Sequence, residues 1–441
     1  MSANKFGINV IGYISGNLGV GVTARNIVAA LLERGVPVTT HDVDPGIGRG
    51  NFDNTFVEHN VQNIQELPYS VNLFVFDPFA LAEFLAHDAS LVLGDRLNVA
   101  FSMWELTVLP KVLQRALKLM DILIAESDSN RSAFDLNISG PLMITAEHPI
   151  YLPEGVRACR ERFGLPQDSV LFLTSFEPHS DPRRKNPFAV VAAFDRSLAN
   201  DPRAHLVIKL NNWNSSGKPH PVVRALLDRC GANPRIHLIT ETLTYPEVLS
   251  LYASSDVLVS LHRGEGLGLP LMEAMLLGKP VIATAWSGNM SFMTHVNSCL
   301  VRYKLIPVEG SIDVYSRKFL GNDAVWADPS IDDAAAWMKE LVNDPDLRRT
   351  KGQLAAKDME QYQQRAKRCE FLDEIQAVLD YGQVTSRRVA LREREIERLR
   401  TDMAALKRRA DKRPGFSNLR RALDRHVLWR FRAQDRRDFF S

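Results

Sequence analysis

Leu261–Asn289 reads LHRGEGLGLPLMEAMLLGKPVIATAWSGN. It holds two acids eight positions apart, Glu265 and Glu273, around a glycine-rich turn. An apolar run, DVLVSLHR, precedes the turn and reads as a buried strand. Pro270 suits the first helical position, because it lacks an N–H that would go unsatisfied there. Glu273 then falls in the first turn of an apolar helix, and GKPVIAT leads into the next strand. Strand, tight turn, helix and strand is the repeating unit of a parallel α/β sheet.

Outward from this unit the same alternation covers most of the chain. Toward the N-terminus, SVLFLTSFE, AHLVIKLNN and RIHLIT read as strands, with NPFAVVAAFDRSL and TYPEVLSLYASS as helices between them. An earlier series starts at FGINVIGYIS and runs through VPVTTHDVD, VNLFVFD, RLNVAFSMW and DILIAES to PLMITAEHPI. His148, Pro149 and Pro153 mark a linker between the two series. The fold class is therefore α/β, with two facing doubly wound, Rossmann-like domains. Residues 1–150 form the first, residues 151–382 the second with its closing helices, and residues 383–441 a helical tail. Ligands of such sheets bind outside the carboxyl ends of the strands, so two facing sheets place the site in the cleft between them.

The 441 residues carry a net charge of only +2, which gives no overall pull toward nucleic acid. Four scattered cysteines suggest neither a zinc site nor a disulfide framework and fit a reducing, cytoplasmic setting. No apolar run approaches the roughly 18–20 residues that span a bilayer, and no signal-peptide pattern opens the chain. The mean charge conceals a contrast. From Val384 onward there are 18 Lys and Arg against 8 Asp and Glu, a net +10, so the body is near −8. Within the tail Val389, Ile396, Met403 and Ala410 recur every seven residues, with Leu399 and Leu406 between them and Arg392 interrupting the seam. Farther on, Leu419, Leu423, Val427 and Trp429 lie among arginines over residues 416–433. This tail suits an anionic membrane surface or a homo-oligomer contact.

The glycine-rich turn has its own chemistry. Gly266 and Gly268 allow close approach of a ligand, and free N–H groups at a helix start attract an anion. Flanking carboxylates accept hydrogen bonds from sugar hydroxyls. A diphosphate between two sugars, that is a nucleotide sugar, satisfies both features. The segment HRGEGLGLPLMEAMLLGKPVIAT resembles the donor-binding signature of retaining glycosyltransferases of the GT-B fold, family four. SGN at Ser287–Asn289 and WADPS at Trp326–Ser330 resemble a mannosyltransferase-like branch acting on bacterial surface polysaccharides, and the resemblance covers about residues 6–380.

By that resemblance Glu273 binds the nucleotide ribose, and Glu265 contacts the transferred sugar. Gly266, Leu267 and Gly268 offer backbone N–H groups to the diphosphate or sugar. Arg184 and Lys185, in DPRRKNP, match the family's basic pair, which neutralises the leaving diphosphate. Lys209 points the same way. His179 stands where many members carry an arginine. Gly16 and Gly19, with Gly21, match the loop beside the donor phosphates. Trp104 and Glu105 stand near the position of a family histidine, where Glu105 would orient acceptor or sugar and Trp104 would stack on a pyranose or pack beneath the cleft.

The resemblance implies a metal-independent, retaining hexosyltransferase without a cofactor. It uses a nucleotide sugar and a glycan or lipid-linked glycan acceptor, and does not engage nucleic acid. Two other readings stay open at this stage. GNLGVG with Asp42 or Asp44 loosely matches a dinucleotide fingerprint, which would make an oxidoreductase. The same Asp42 and Asp44 form a D-x-D that could hold a metal, although strand-end acids are the simpler reading. A degenerate transferase body carrying the basic tail would be a scaffold.

Overall fold

The structure, a computed structural model, describes residues 5–44, 53–211, 221–231, 233–310, 313–381 and 386–411. The first sheet contains β1 (Lys5–Gly12), β2 (Val38–Asp42), β3 (Tyr69–Val75), β4 (Leu97–Ser102), β5 (Ile122–Ala125) and β6 (Leu142–Thr145). They are parallel, in the order β2-β1-β3-β4-β5-β6. The second contains β7 (Val170–Phe176), β8 (Ala204–Leu210), β9 (Ile236–Ile239), β10 (Val257–Ser260), β11 (Val281–Thr284) and β12 (Cys299–Val301). It too is parallel, in the order β12-β11-β10-β7-β8-β9. A separate antiparallel pair, β13 (Tyr303–Pro307) and β14 (Val325–Pro329), follows. WADPS thus begins in a strand, which the alternating pattern did not indicate.

In each sheet the strand order reverses at one point, and neighbouring loops splay apart there to leave a crevice. The reversal lies between β1 and β3 in the first sheet and between β7 and β10 in the second. The loops after these strands and their neighbours β4, β5 and β9 face the cleft between the two sheets.

Buried strands read as continuous apolar runs because helices cover both faces. β4 is buried at every position. Among the polar exceptions, three asparagines form one row. Asn9 Nδ2 donates to Asn72 Oδ1 at 3.0 Å, and Asn72 Nδ2 donates to Asn98 Oδ1 at 3.0 Å, across registered positions of β1, β3 and β4. The Asn98 N–H donates to Asp121 Oδ2 at 2.7 Å. Asp121 Oδ1 in turn meets Arg392 at 2.5 Å.

Arg392 is therefore no flaw in the tail's seam. It neutralises a buried carboxylate at the end of a polar row, and its other guanidinium nitrogen donates to Val92 O at 3.0 Å. The helix Ser386–Asp411 lays Ile396, Leu399 and Met403, all buried, into the same core as the helices Pro78–His87 and Lys111–Leu117. Arg115 ties its outer edge to Glu395 at 3.1 Å and Asp402 at 2.9 Å. The apolar face offered by Ile396, Leu399 and Met403 is spent within the chain and not left for a second copy. Residues 416–433, with the basic apolar stripe, lie outside the described residues. No helix among the described residues is long and apolar enough to cross a membrane.

The preceding helix, Phe371–Tyr381, also packs on the first sheet, where Phe371 and Ile375 join the core around Ile8 and Val10. The C-terminal part of the chain thus completes the first half.

Candidate active site

Loops after β1, β3, β4, β5, β7 and β10 line a cavity of about 440 Å³ between the two sheets, a size in the range of small-molecule sites. The glycine-rich turn forms one wall. Gly268 caps the helix Leu269–Leu276 at φ +102°, a left-handed conformation that glycine adopts without strain. No acceptor among the described residues meets the N–H groups of Gly266, Leu267 or Gly268, which leaves three donors at a helix start beside the cavity. A Cβ on Gly266 would approach Met103 Cβ at 3.2 Å and Glu126 Oε1 at 3.4 Å, so the absent side chain lets the turn abut the first half.

The helix begins at Leu269, which makes Pro270 its second residue and places Glu273 just beyond the first turn. Both sit one position deeper than the sequence reading gave. Glu273 is buried and accepts a 2.8 Å hydrogen bond from the Tyr245 hydroxyl. Burial pushes its carboxyl up to about 8, against the lowering effect of that bond.

Arg184, Lys185 and Glu265 converge at the reversal point of the second sheet. Lys185 Nζ lies 2.5 Å from Glu265 Oε1, and Arg184 lies 3.4 Å from Glu265 Oε2 and 3.1 Å from Glu105 Oε1. Burial would raise the Glu265 carboxyl, but Lys185 first and then Arg184 and His262 outweigh it and hold it down to about 2. Burial draws the Lys185 ammonium down while Glu265 opposes. The short helix Pro182–Lys185 is capped by Asp181, whose side chain accepts from the N–H groups of Arg183 and Arg184. That cap, at positive φ, turns both bases into the cleft.

Glu105 crosses from the first half. It pairs with Arg184 and accepts from the Tyr315 hydroxyl, so it joins the two sheets. The halves also meet where Ser127 Oγ donates to Gly266 O at 2.8 Å and Asn17 Nδ2 donates to Leu243 O at 3.1 Å. The cleft is therefore closed.

The other residues singled out in the sequence divide between the cavity wall and the surrounding structure. Gly19 opens the helix Gly19–Glu33 at the cavity wall. Gly16 sits behind it, its carbonyl accepting from Arg25 at 3.1 Å. Lys209 is fully buried at the end of β8, and its ammonium donates to Leu210 O at 3.0 Å and Glu241 O at 2.9 Å, away from the cavity lining. Trp104 is buried, stacks on Tyr315 and spends its indole N–H on Val108 O, so it packs beneath the cleft. His179 lines the cavity at the family's arginine position. Asp42 accepts from the Ser15 N–H at 3.0 Å as a loop brace. Among the described residues no group of three or more His, Cys, Asp or Glu is placed to hold a metal ion.

The sequence reading missed Asp77, Glu126 and Tyr315, which line the same cavity. Asp77 lies two residues past β3 and Glu126 directly after β5, so a strand-end rule applied to every strand would have found both. Tyr315 arrives on an irregular turn between β13 and β14, with no signal in the sequence.

Residues 169–302, the second sheet with its donor turn, match the family model of glycosyl transferases, group 1. The chain as a whole has the GT-B fold. It resembles sucrose-phosphate synthase from Thermosynechococcus elongatus, with a TM-score of 0.61 and 13% identity over 86% of this chain and 100% of that one. The Anabaena protein HepE, solved with UDP-glucose, gives a TM-score of 0.59 and 15% identity over the same shares. Among curated proteins, D-inositol 3-phosphate glycosyltransferases of Mycobacterium bovis and Mycobacterium tuberculosis are 27% identical over 175 residues, 38% of this chain. The match spans about a third of those relatives' length, 34%.

Proposed function

We propose that the protein is a retaining, metal-independent glycosyltransferase that moves a hexose from a nucleoside-diphosphate sugar to a hydroxyl of a glycan or lipid-linked glycan. The observation that carries this reading is the meeting of Arg184, Lys185, Glu265 and three unengaged N–H groups at the reversal point of the second sheet. The match of that same segment to group 1 glycosyl transferases supports it, as does the UDP-glucose bound to HepE on a shared fold.

Donor diphosphate enters between the N–H groups of residues 266–268 and the Arg184–Lys185 pair. Lys185 then exchanges Glu265 for phosphate oxygens, which frees the Glu265 carboxylate for hydroxyls of the hexose. Glu273, with Tyr245, takes the ribose. The bond from the anomeric carbon to the phosphate oxygen breaks, and the acceptor oxygen bonds to that carbon on the same face. The acceptor proton passes to the departing phosphate. Arg184 and Lys185 stabilise the charge that develops there, an effect worth roughly 2.7–4 kcal/mol per preorganised group. Closure by Glu105–Arg184 and Ser127–Gly266 keeps water from the donor.

Mannose is our reading for the hexose, and polysaccharide assembly at the cytoplasmic face of a membrane for the setting. Both rest on the mannosyltransferase-like motifs and the basic tail. The test is nucleotide release from UDP-glucose, GDP-mannose and UDP-N-acetylglucosamine with a glycan acceptor, with and without EDTA. Product NMR reads the anomeric configuration. Release from one donor, unaffected by EDTA and with configuration retained, is expected. A strict requirement for Mn²⁺ or Mg²⁺, or an inverted product, contradicts the mechanism.

A further inference from the structure

The two walls of the cleft differ in charge. The second half sets the bases Arg184 and Lys185 beside the acids Glu177 and Glu265. The first half brings Asp77, Glu83, Glu105 and Glu126, and among the described lining residues it brings no Lys or Arg. Most of these acids already have work. Asp77 caps the helix Pro78–His87, accepting from the N–H groups of Phe79 and Ala80, and Glu105 holds Arg184 and Tyr315.

Glu126 is different. It follows β5 directly, is 5% exposed and lines the cavity against the donor turn. No hydrogen bond or ion pair within the described residues meets its carboxyl. A buried carboxyl without a partner costs stability, unless a ligand satisfies it.

Building on the transferase reading above, we propose that the sugar ring entering the acceptor side of this cleft carries no phosphate, and that the Glu126 carboxyl holds one of its hydroxyl or amino groups. A carboxyl can accept from a hydroxyl or an ammonium and, when protonated, can donate to a hydroxyl oxygen. A phosphate there would face like charges in a low-dielectric pocket. The two bases able to offset it are the ones that the donor diphosphate occupies. Burial first, then Glu105 and Glu265, push the Glu126 carboxyl up to about 8, so near neutral pH it holds a proton and can donate as well as accept. Lipid-linked acceptors remain compatible when their phosphates lie outside the cleft.

The experiment uses the full chain and matched probes. Saturation-transfer NMR in the presence of the donor's nucleoside diphosphate compares mannose with mannose 6-phosphate, and glucosamine with glucosamine 6-phosphate. Unphosphorylated probes should bind at least tenfold tighter. Glu126→Gln should weaken them about three- to tenfold, and Glu126→Lys should narrow or reverse the preference. The comparison on the unaltered chain does not depend on either variant folding. A phosphorylated probe that binds as well as its twin, or no binding by any unphosphorylated probe, overturns the inference. So does an affinity unchanged in a folded Glu126→Gln. Donor turnover is measured separately on the same protein. If donor is hydrolysed while phosphorylated probes win, only the acceptor inference fails. If no nucleotide sugar binds or turns over, the transferase reading fails and carries this inference down with it.

Discussion

Gly288→Ala is the sharpest perturbation of the donor turn, because its effect follows from backbone alone. Gly288 donates its N–H to Glu265 O at 2.9 Å, and Ser287 Oγ donates to the same oxygen at 2.6 Å. A methyl at position 288 would lie 1.8 Å from Gly266 O, 2.4 Å from its carbonyl carbon and 2.8 Å from Leu267 Cα. An ordinary carbon–oxygen contact is about 3.3 Å, so the turn must retreat by roughly 1.5 Å. Overpacking of this kind costs about 1–3 kcal/mol, or some 2–4 °C in Tm per kcal/mol for a domain of this size. The retreat also shifts the three N–H donors, and a misplacement near 1 Å can cost about a hundredfold in rate. The backbone at 288 has an ordinary φ, so without the clash alanine would stabilise by about 0.4–1 kcal/mol through the unfolded chain. The sign of the Tm change therefore discriminates. Gly19→Ala, where a Cβ meets nothing within 4 Å, is the control and should hold or raise Tm. Thermal melts and nucleotide release on both variants give the answer. A Gly288→Ala protein with unchanged or higher Tm and release within twofold of the parent would refute the reasoning.

Lys185→Ala should leave the fold intact and lower turnover about ten- to a thousandfold; donor release within twofold of the parent would remove Lys185 from the machinery. Glu273 keeps a proton in the folded state that the unfolded chain loses near its ordinary value of 4.5. Stability therefore falls as pH rises from about 4.5 to about 8, by up to roughly 1.4 kcal/mol per unit from this group. Glu273→Gln should flatten Tm against pH in that window, and parallel profiles would contradict the assignment. Arg392→Met removes a guanidinium from beside the buried Asp121 carboxylate, and unfolding should ease by about 3–5 kcal/mol, read by denaturant titration. Truncation after Asp411 tests membrane docking more cleanly than removal from Val384, which would also uncover the core beneath Ile396 and Leu399. Loss of flotation on anionic liposomes is expected, and a parent that never floats rules the membrane role out.

Periodicity exposed the two α/β series because their strands are buried on both faces and read as unbroken apolar runs. The donor turn was legible because glycine, proline and two acids each carry a local constraint. Lys209 misled for a physical reason. A lysine at a strand end is the same letter whether its ammonium reaches ligand or, as here, two backbone carbonyls. Arg392 misled in the opposite direction, since its partner Asp121 is about 270 positions away. Pairings across such distances, like that of Glu105 with Arg184 and Tyr315, leave no periodic trace. Glu126 was readable in principle, but a single acid after a strand is weak without the facing wall.

The return of the chain to its first half bears on how the protein is made. Ile8 and Val10 share a core with Phe371 and Ile375, and Leu113 and Leu117 with Ile396 and Leu399. The first sheet leaves the ribosome with β6, but Arg392 follows about 250 residues later. At roughly 5–20 residues per second that interval lasts on the order of ten to fifty seconds. Throughout it Asp121 lacks the Arg392 guanidinium and two apolar faces lack their covers. The nascent first half should therefore need protection from aggregation until residues 371–403 emerge, and premature stops before Arg392 should yield aggregating chains, not a stable half-protein.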